Sequence, residues 1–477
     1  MIRFFRRFGV TAAFAATVLT GLSLAPPARA VPSFARQTGL ACEACHTVFP
    51  ELTPFGRRFK LGGYTLTTRP MVSDVDLTKH STLSLQDLPP LSIMAQVSST
   101  WWNKTLPDSG SDNGSLSSQN GQTEFPQQLS LFYAGKIADN MGAFFQMTYQ
   151  QASGSFSIDN SDIRFADHSD GGDLVYGLTL NNNPTVQDVW NSTPAWGAPF
   201  FAAPTGSPTP TAAPLITSLG AKVGGLGAYA LYKDQYYLEF TAYRSALQGV
   251  GHPYDSTSSS VIDGVAPYWR AAYETQWNKH ALEFGTFGLW AKYLPTSSGA
   301  QGIHPGVHDT YLDTGLDLQY QYLGEENNFS LLGSYLHENV EHNMNNLNTG
   351  VSGVTSAAKP ITGLTRWQAT ASYFFRRRYG GSLSFTKTTG SHDSIAYAPG
   401  ISKSTGTSGF QSGYGKGKPD SQFETLELDY MPWLNTKILA QYTIYNQFNG
   451  GSGAYDGSTG RKASDNNTAL IGLWLAF

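Results

Sequence analysis

From Leu91 to Phe477 apolar and polar residues alternate with period two in segments of roughly ten residues, and no 3.6-residue period persists. Between Thr310 and Tyr322, for example, Leu312, Leu316, Leu318, Tyr320 and Tyr322 alternate with Asp313, Gly315, Asp317, Gln319 and Gln321. Between Phe423 and Met431, Leu426, Leu428 and Tyr430 alternate with Glu427 and Asp429. Such a period predicts strands with one face in an apolar medium and the other in a polar one. Segments of this kind fall at 91–103, 128–138, 142–152, 158–166, 173–182, 219–232, 235–246, 267–277, 280–293, 310–322, 327–338, 365–377, 380–389, 423–432, 436–447 and 466–477, sixteen in all. Short connections at 139–141, 167–172, 233–234, 278–279, 323–326, 378–379 and 433–435 are interleaved with mostly longer ones. An even strand number with connections of alternating length predicts an all-β fold, a transmembrane antiparallel β-barrel of about 16 strands. The pair 142–152 and 158–166 is the least regular, so fourteen or eighteen strands would also fit the pattern.

Strand phase says which side chains face inward. In the first segment Leu91, Ile93, Ala95, Val97 and Trp101 share one face, while Ser92, Met94, Gln96, Ser98 and Thr100 share the other. With apolar residues outward, Glu239, Glu274, Glu283, Asp313, Asp317, Glu427 and Asp429 point into the lumen against Arg270, Arg366 and Lys437. That acidic excess suits cations, and carboxylate oxygen suits hard ones, although polar lumens carry charges in any case. The last strand ends on Phe477, which resembles the assembly signal of bacterial outer-membrane barrels. The third external loop, about 183–218, holds Trp190, Trp196, Phe200 and Phe201 and is read either as folded into the lumen or as exposed.

Composition adds a constraint. Charged residues are only 14% of the 477, yet there are 10 Trp, 25 Tyr and 27 Phe. Few charges with negative mean hydropathy argue against membrane helices and suit a barrel that is apolar outside and polar inside. Ahead of the barrel, Arg3, Arg6 and Arg7 precede an apolar run from Phe8 to Leu24, and Ala28-Arg29-Ala30 offers a small-x-small cleavage site. Residues 1–30 therefore read as an export signal. Its removal takes four arginines and no acid, so the net charge moves from −4 to −8. No basic patch is left for a nucleic-acid partner.

Two cysteines remain, three positions apart, in the segment 31–90 between signal and barrel. Cys42-Glu43-Ala44-Cys45-His46 is C-x-x-C-H, the attachment signature of a c-type haem. The spacing has a chemical cause: two thiols add across the two vinyl groups, which brings the adjacent imidazole under the iron as proximal ligand. A structural zinc site would need a second pair of ligands, and a thioredoxin-like pair would need a βαβ setting; the segment has neither. For the distal position the candidates are Met94, Met71 and His80, with Met94 the one soft side chain on an otherwise polar lumen face. Met94 is equally read as a packing methionine beneath a plug. His304, His308, His337 and His342 read as solvated loop residues.

The signal, the segment PSFARQTGLACEACHTVFPELTPFGRRFKLGGYTL and a barrel running to a terminal Phe together resemble the fused outer-membrane cytochrome–porins, monohaem c-type cytochromes joined to a β-barrel porin and associated with Fe(II) oxidation. The resemblance implies one covalent haem c on Cys42 and Cys45, His46 as its iron ligand, and the FPELTPFGRRFKL stretch wrapped around it. It also implies residues 31–90 as a plug or periplasmic-side cap on the barrel 91–477, and outer-membrane lipid as its surroundings. Both termini then lie on the periplasmic side. The expected partners are extracellular Fe(II) or another reductant and a periplasmic cytochrome or other carrier, with iron:cytochrome oxidoreductase as the enzymatic form of that activity. Two alternatives stay open: a conduit for another donor or acceptor, and a solute porin with a haem-containing plug.

Overall fold

The computed structural model describes residues 32–69, 71–73, 84–86, 89–104, 120–150, 154–192, 201, 203–204, 207–220, 222–246, 261–294, 308–343, 357–397, 416–455 and 460–477. The export signal and His80 lie outside them. After a two-stranded ribbon, β1 (Met71–Ser73) and β2 (Ser84–Gln86), one antiparallel sheet follows. Its strands are β3 (Leu91–Trp102), β4 (Gln122–Ala138), β5 (Met141–Gln150), β6 (Ser155–His168), β7 (Leu174–Asn181), β8 (Val223–Tyr232), β9 (Tyr236–Ser245), β10 (Val261–Ile262), β11 (Ala266–Trp277) and β12 (His280–Leu294). Then come β13 (Asp309–Leu323), β14 (Asn327–Glu341), β15 (Ile361–Phe375), β16 (Tyr379–Gly390), β17 (Ser421–Trp433), β18 (Thr436–Gln447) and β19 (Thr468–Ala476). All but the two-residue β10 are barrel staves, and each of the sixteen expected strands is present, the irregular β5–β6 pair included.

The sheet closes because β19 pairs with β3, from Thr468↔Trp102 to Ala476↔Met94. Phe477 completes the seam: its carbonyl accepts from the Ile93 amide at 2.7 Å and its amide donates to the Ile93 carbonyl at 2.9 Å. Closure leaves no unpaired edge, which is the condition for strands to cross lipid. Alternation runs as expected. Leu312, Leu316 and Leu318 are exposed outward while Asp313, Asp317, Gln319 and Gln321 are buried in the lumen. In β17, Leu426 and Leu428 face out, and Glu427 and Asp429 face in. The outward apolar belt makes this a lipid-facing barrel.

Several strands start elsewhere than the pattern predicts, β6 at Ser155 and β15 at Ile361 among them. β4 begins at Gln122 rather than 128, because after a bulge at Gln96/Ser98 it still pairs with β3 through Ser98↔Glu124 and Thr100↔Gln122. β8 begins at Val223 rather than 219, because Leu215–Thr217 turns into a 3₁₀ helix.

The N-terminal segment enters the lumen. Helices α1 (Pro32–Thr38), α2 (Cys42–Cys45) and α3 (Pro54–Leu61) sit inside the short-turn end. Their position is fixed by ion pairs to two of those turns, Arg58 to Asp234 and Glu43 to Arg377. Tyr64 donates to Asp162 of β6 at 2.6 Å, and Tyr229 of β8 donates to the Leu61 carbonyl at 2.7 Å. Gly63 has φ +70 and lies against Ala166, while a Cβ on Gly142 would come within 2.3 Å of the Gly63 carbonyl, so plug and wall approach at backbone distance. The described part of the third loop also turns inward. Its α4 (Pro184–Gln187) leads to Trp190, which is buried and donates its indole N–H to Glu274 at 2.9 Å. Of the two readings of this loop, the lumen-folded one holds for Asn183–Ser192.

Candidate haem site

The site begins with the way residues 42–61 fold back on themselves. His46 N–H closes α2 on the Cys42 carbonyl at 2.9 Å, and the chain then loops until Thr53 N–H reaches the Cys45 carbonyl at 2.9 Å. Thr53 caps α3 by accepting from the Gly56 amide at 3.1 Å, with Pro54 at the first helical position, so this helix starts where capping rules place it. Gly56 is required by the contact itself: a Cβ there would lie 2.2 Å from the Cys45 carbonyl oxygen. α3 therefore lies directly on the helix that carries both thiols.

Cys42, Cys45 and His46 line one open cavity whose empty space, part of it continuous with solvent, is about 1040 Å³. Its apolar wall includes Phe34, Leu40, Phe49, Leu52 and Phe59, and its polar groups include Thr38, Lys60, Tyr64, Thr185, Asp188 and Asn191. Ligand cavities have mostly apolar linings with a few placed polar groups, and the lining here is of that kind, which suits a flat apolar macrocycle. Neither thiol is in a disulfide. Burial, reinforced by Cys42, pushes the Cys45 thiol up to about 11. Burial likewise pushes the His46 imidazole down to about 4, which keeps it neutral, the form in which it ligates metal. Its Nδ1 stands 3.2 Å from the Glu51 carbonyl oxygen. A carbonyl can only accept, so Nδ1 carries the proton and Nε2 keeps its lone pair for a metal. Burial also raises the Glu51 carboxyl, against the pull of Ser330, Thr47 and Arg57. Among the described residues no three His, Cys, Asp or Glu side chains gather into a metal-ion cluster.

The distal candidates fall elsewhere. Met94 faces the lumen as its strand phase requires, but it is packed with Val48, Phe132 and Trp474. It lines a second cavity of about 540 Å³, not the one that holds His46. Phe49 lines both, its ring 5.2 Å from His46 and 5.1 Å from Trp474. Met71 pairs its backbone with Gln86 in the ribbon, and its side chain lies outside the described residues. Two loop histidines are corrected. His337 belongs to β14 and contacts Thr365 at 2.9 Å, and His342 is buried with Nδ1 2.8 Å from Asp309.

In the lumen most of the inward charges gather in sets. Arg57 of α3 pairs with Glu274 at 2.8 Å and donates to Gln319 at 2.9 Å and Gln321 at 3.2 Å. Arg270 pairs with Glu283 at 3.1 Å, Asp188 at 3.6 Å and Asp317, with its guanidinium 4.8 Å from the Trp190 ring centre. Lys437 pairs with Glu427 at 2.8 Å and Asp429 at 3.6 Å. Glu239 accepts from Tyr237 and Thr241, and Asp313 accepts from the Ile216 amide. Each lumen acid expected to draw cations thus touches an internal partner, while Glu283 Oε2, Asp313 Oδ1, Asp317 Oδ1 and both Asp429 oxygens are buried without a hydrogen bond. Sequence patterns missed Arg57, Lys60, Asp188 and Asn191; for the first two the signal was present, in the stretch FPELTPFGRRFKL beside the motif.

No family model matches the chain, and no curated protein matches it. Solved outer-membrane barrels do. OmpF of Salmonella typhi in complex with daunomycin has a TM-score of 0.45 and 14% identity over 81% of this chain and 97% of its own. The anion-selective porin from Comamonas acidovorans has a TM-score of 0.42 and 11% identity over 81% of this chain and 98% of its own. The outer-membrane channel DcaP of Acinetobacter baumannii has a TM-score of 0.42 and 12% identity over 81% of this chain and 96% of its own.

Proposed function

We propose that this chain is a bacterial outer-membrane electron-transfer protein with one haem c bound covalently through Cys42 and Cys45 and ligated by His46. It takes electrons from an extracellular donor, Fe(II) in the first instance, and passes them to a periplasmic carrier, with both termini on the periplasmic side. The observation that carries this reading is the convergence of Cys42, Cys45 and His46 on one apolar-walled cavity inside the barrel, with the imidazole Nδ1 held by a backbone carbonyl. Haem, when bound, supplies a one-electron couple: Fe(II) loses one electron, the haem iron gains it, and a one-electron acceptor removes it. The chain's own task is to hold that couple in a barrel spanning a hydrocarbon core about 30 Å thick, within reach of both sides.

Two measurements test the reading. Mass spectrometry of the exported protein should show one haem per chain, absent from Cys42→Ala/Cys45→Ala. Adding Fe(II) outside intact cells should then reduce the haem rapidly. The second reading, a solute porin with a haem plug, is favoured by the sixteen-strand girth. An unresponsive haem together with measurable solute flux would establish it instead. Rapid reduction by a different donor, with none by Fe(II), would point to a conduit for that donor.

A further inference from the structure

A haem brings two propionate carboxylates into whatever cavity holds it, and a buried carboxylate needs a cation or several hydrogen-bond donors. In this cavity most polar groups already have partners. Tyr64 donates to Asp162, Thr38 to the Phe34 carbonyl, and Thr185 to Asn183. Asp188 accepts from the Trp190 and Ser192 amides and faces Arg270. Two lining groups can supply such a partner: Lys60 a cation, although Asp162, Asp188 and Glu239 already attract it, and Asn191 an unpaired donor. Lys60, on the α3 face that also presents Gly56 and Phe59 to the cavity, is the one lysine or arginine among the described lining residues. Asn191, from the third loop, has φ +65 and a side-chain Nδ2 that is buried without a hydrogen-bond partner. A buried donor left unpaired costs about 1–3 kcal/mol, which a ligand acceptor would recover.

We infer that Lys60 of the plug and Asn191 of the third loop are the propionate-holding residues of the haem cavity, so that the loop forms part of the haem pocket and does not merely narrow the pore. Lys60 is suited to it electrostatically. Burial, then Arg164, pushes its amine down to about 8 against the pull of Asp162, Asp188 and Glu239, and an added anion favours the charged form. The inference rests on the haem reading above and adds a prediction that reading does not make. A cation beside a propionate offsets negative charge near the iron, which favours the reduced, less positive haem. Removing Lys60 should therefore lower the midpoint potential.

The test uses the full-length holoprotein and three variants, Lys60→Met, Lys60→Arg and Asn191→Ala. Covalent haem content is measured first; its absence from the parent would overturn the haem reading and this inference with it. With haem present, spectroelectrochemical titration should show a lower midpoint potential in Lys60→Met, near-parental behaviour in Lys60→Arg, and a smaller downward shift in Asn191→Ala. Visible and electron paramagnetic resonance signatures of the axial ligands should stay parental in all three. An unshifted potential in both Lys60→Met and Asn191→Ala would overturn the inference. A changed axial-ligand signature in Lys60→Met would overturn it differently, by making the amine an iron ligand.

Discussion

At the scale of single residues, the motif and its support differ in how they can be read. The spacing of Cys42, Cys45 and His46 matches a haem-attachment signature and is read from the sequence alone. Gly56 carries no such signal, since a glycine in a short helix ordinarily weakens it, and only the 2.2 Å approach to the Cys45 carbonyl explains its presence. Gly56→Ala should therefore push α3 off the thiol-bearing helix. The expected cost is about 1–3 kcal/mol, as for overpacking at a tight contact. Haem per chain and thermal midpoint would both fall; a parental haem content in a fully folded Gly56→Ala protein would show that α2 and α3 can part without consequence. Met94 shows the converse limit. Its inward direction was legible from period two, but whether it met the cavity or a neighbouring cluster depended on where the plug sits.

At the scale of elements, strands were the legible part. Period two fixes which face meets lipid, and a one-residue slip would invert it, so all sixteen barrel strands could be read from local pattern. Loops carry no such signal, and their order depends on distant partners. Asp393 illustrates this on the long-loop side. Its carboxylate accepts backbone amides of Ala358 (2.8 and 2.9 Å), Lys359 (3.0 Å), Ile395 (2.8 Å) and Ala396 (2.9 Å), tying two loops together. Burial alone would raise this carboxyl, but the amides of Ala396, Ala358, Ile395 and Lys359 outweigh it and hold it below its usual range. A depressed folded value means the stabilisation is complete above the unfolded value of about 3.9 and is lost as pH falls through the folded one. Protection of the 358, 359, 395 and 396 amides, measured against their intrinsic exchange rate at each pH, should thus be unchanged from pH 7 to about 5 and fall under more acid conditions. Asp393→Asn should show the lowered protection already at pH 7. Equal protection in parent and variant at pH 7 would remove Asp393 as the tie.

At the scale of the whole molecule, the plug and the described part of the third loop occupy the lumen of a porin-sized barrel. The pin is Arg57, buried between α3 and the wall, with Glu274 as its counter-charge and Trp190 bound to the same carboxylate. Removing one partner of such a pair strands the other and costs about 3–5 kcal/mol, whereas removing both can be nearly neutral. In planar bilayers the parent should conduct little. Arg57→Met should raise conductance through intermittent unseating of the plug, and Arg57→Met/Glu274→Met should recover part of the seal. If Arg57→Met is as tight as the parent, the pair is dispensable and the loop alone closes the lumen.

The sequence by itself determined the strands, their inward and outward faces, the last strand ending on Phe477 and the spacing of Cys42, Cys45 and His46, because each of these follows from local spacing. What only the tertiary structure decided was who meets whom inside the barrel. Lys60 and Asn191 are 131 positions apart and share a cavity because the closed sheet folds plug and loop into one volume. The lumen acids, read as an open charge excess, share a few cations, Arg57, Arg270 and Lys437, while Glu239 takes hydroxyl donors from its own strand and Asp313 an amide of the third loop. Charge pairing across a closed barrel depends on three-dimensional proximity, and no periodicity along the chain encodes it.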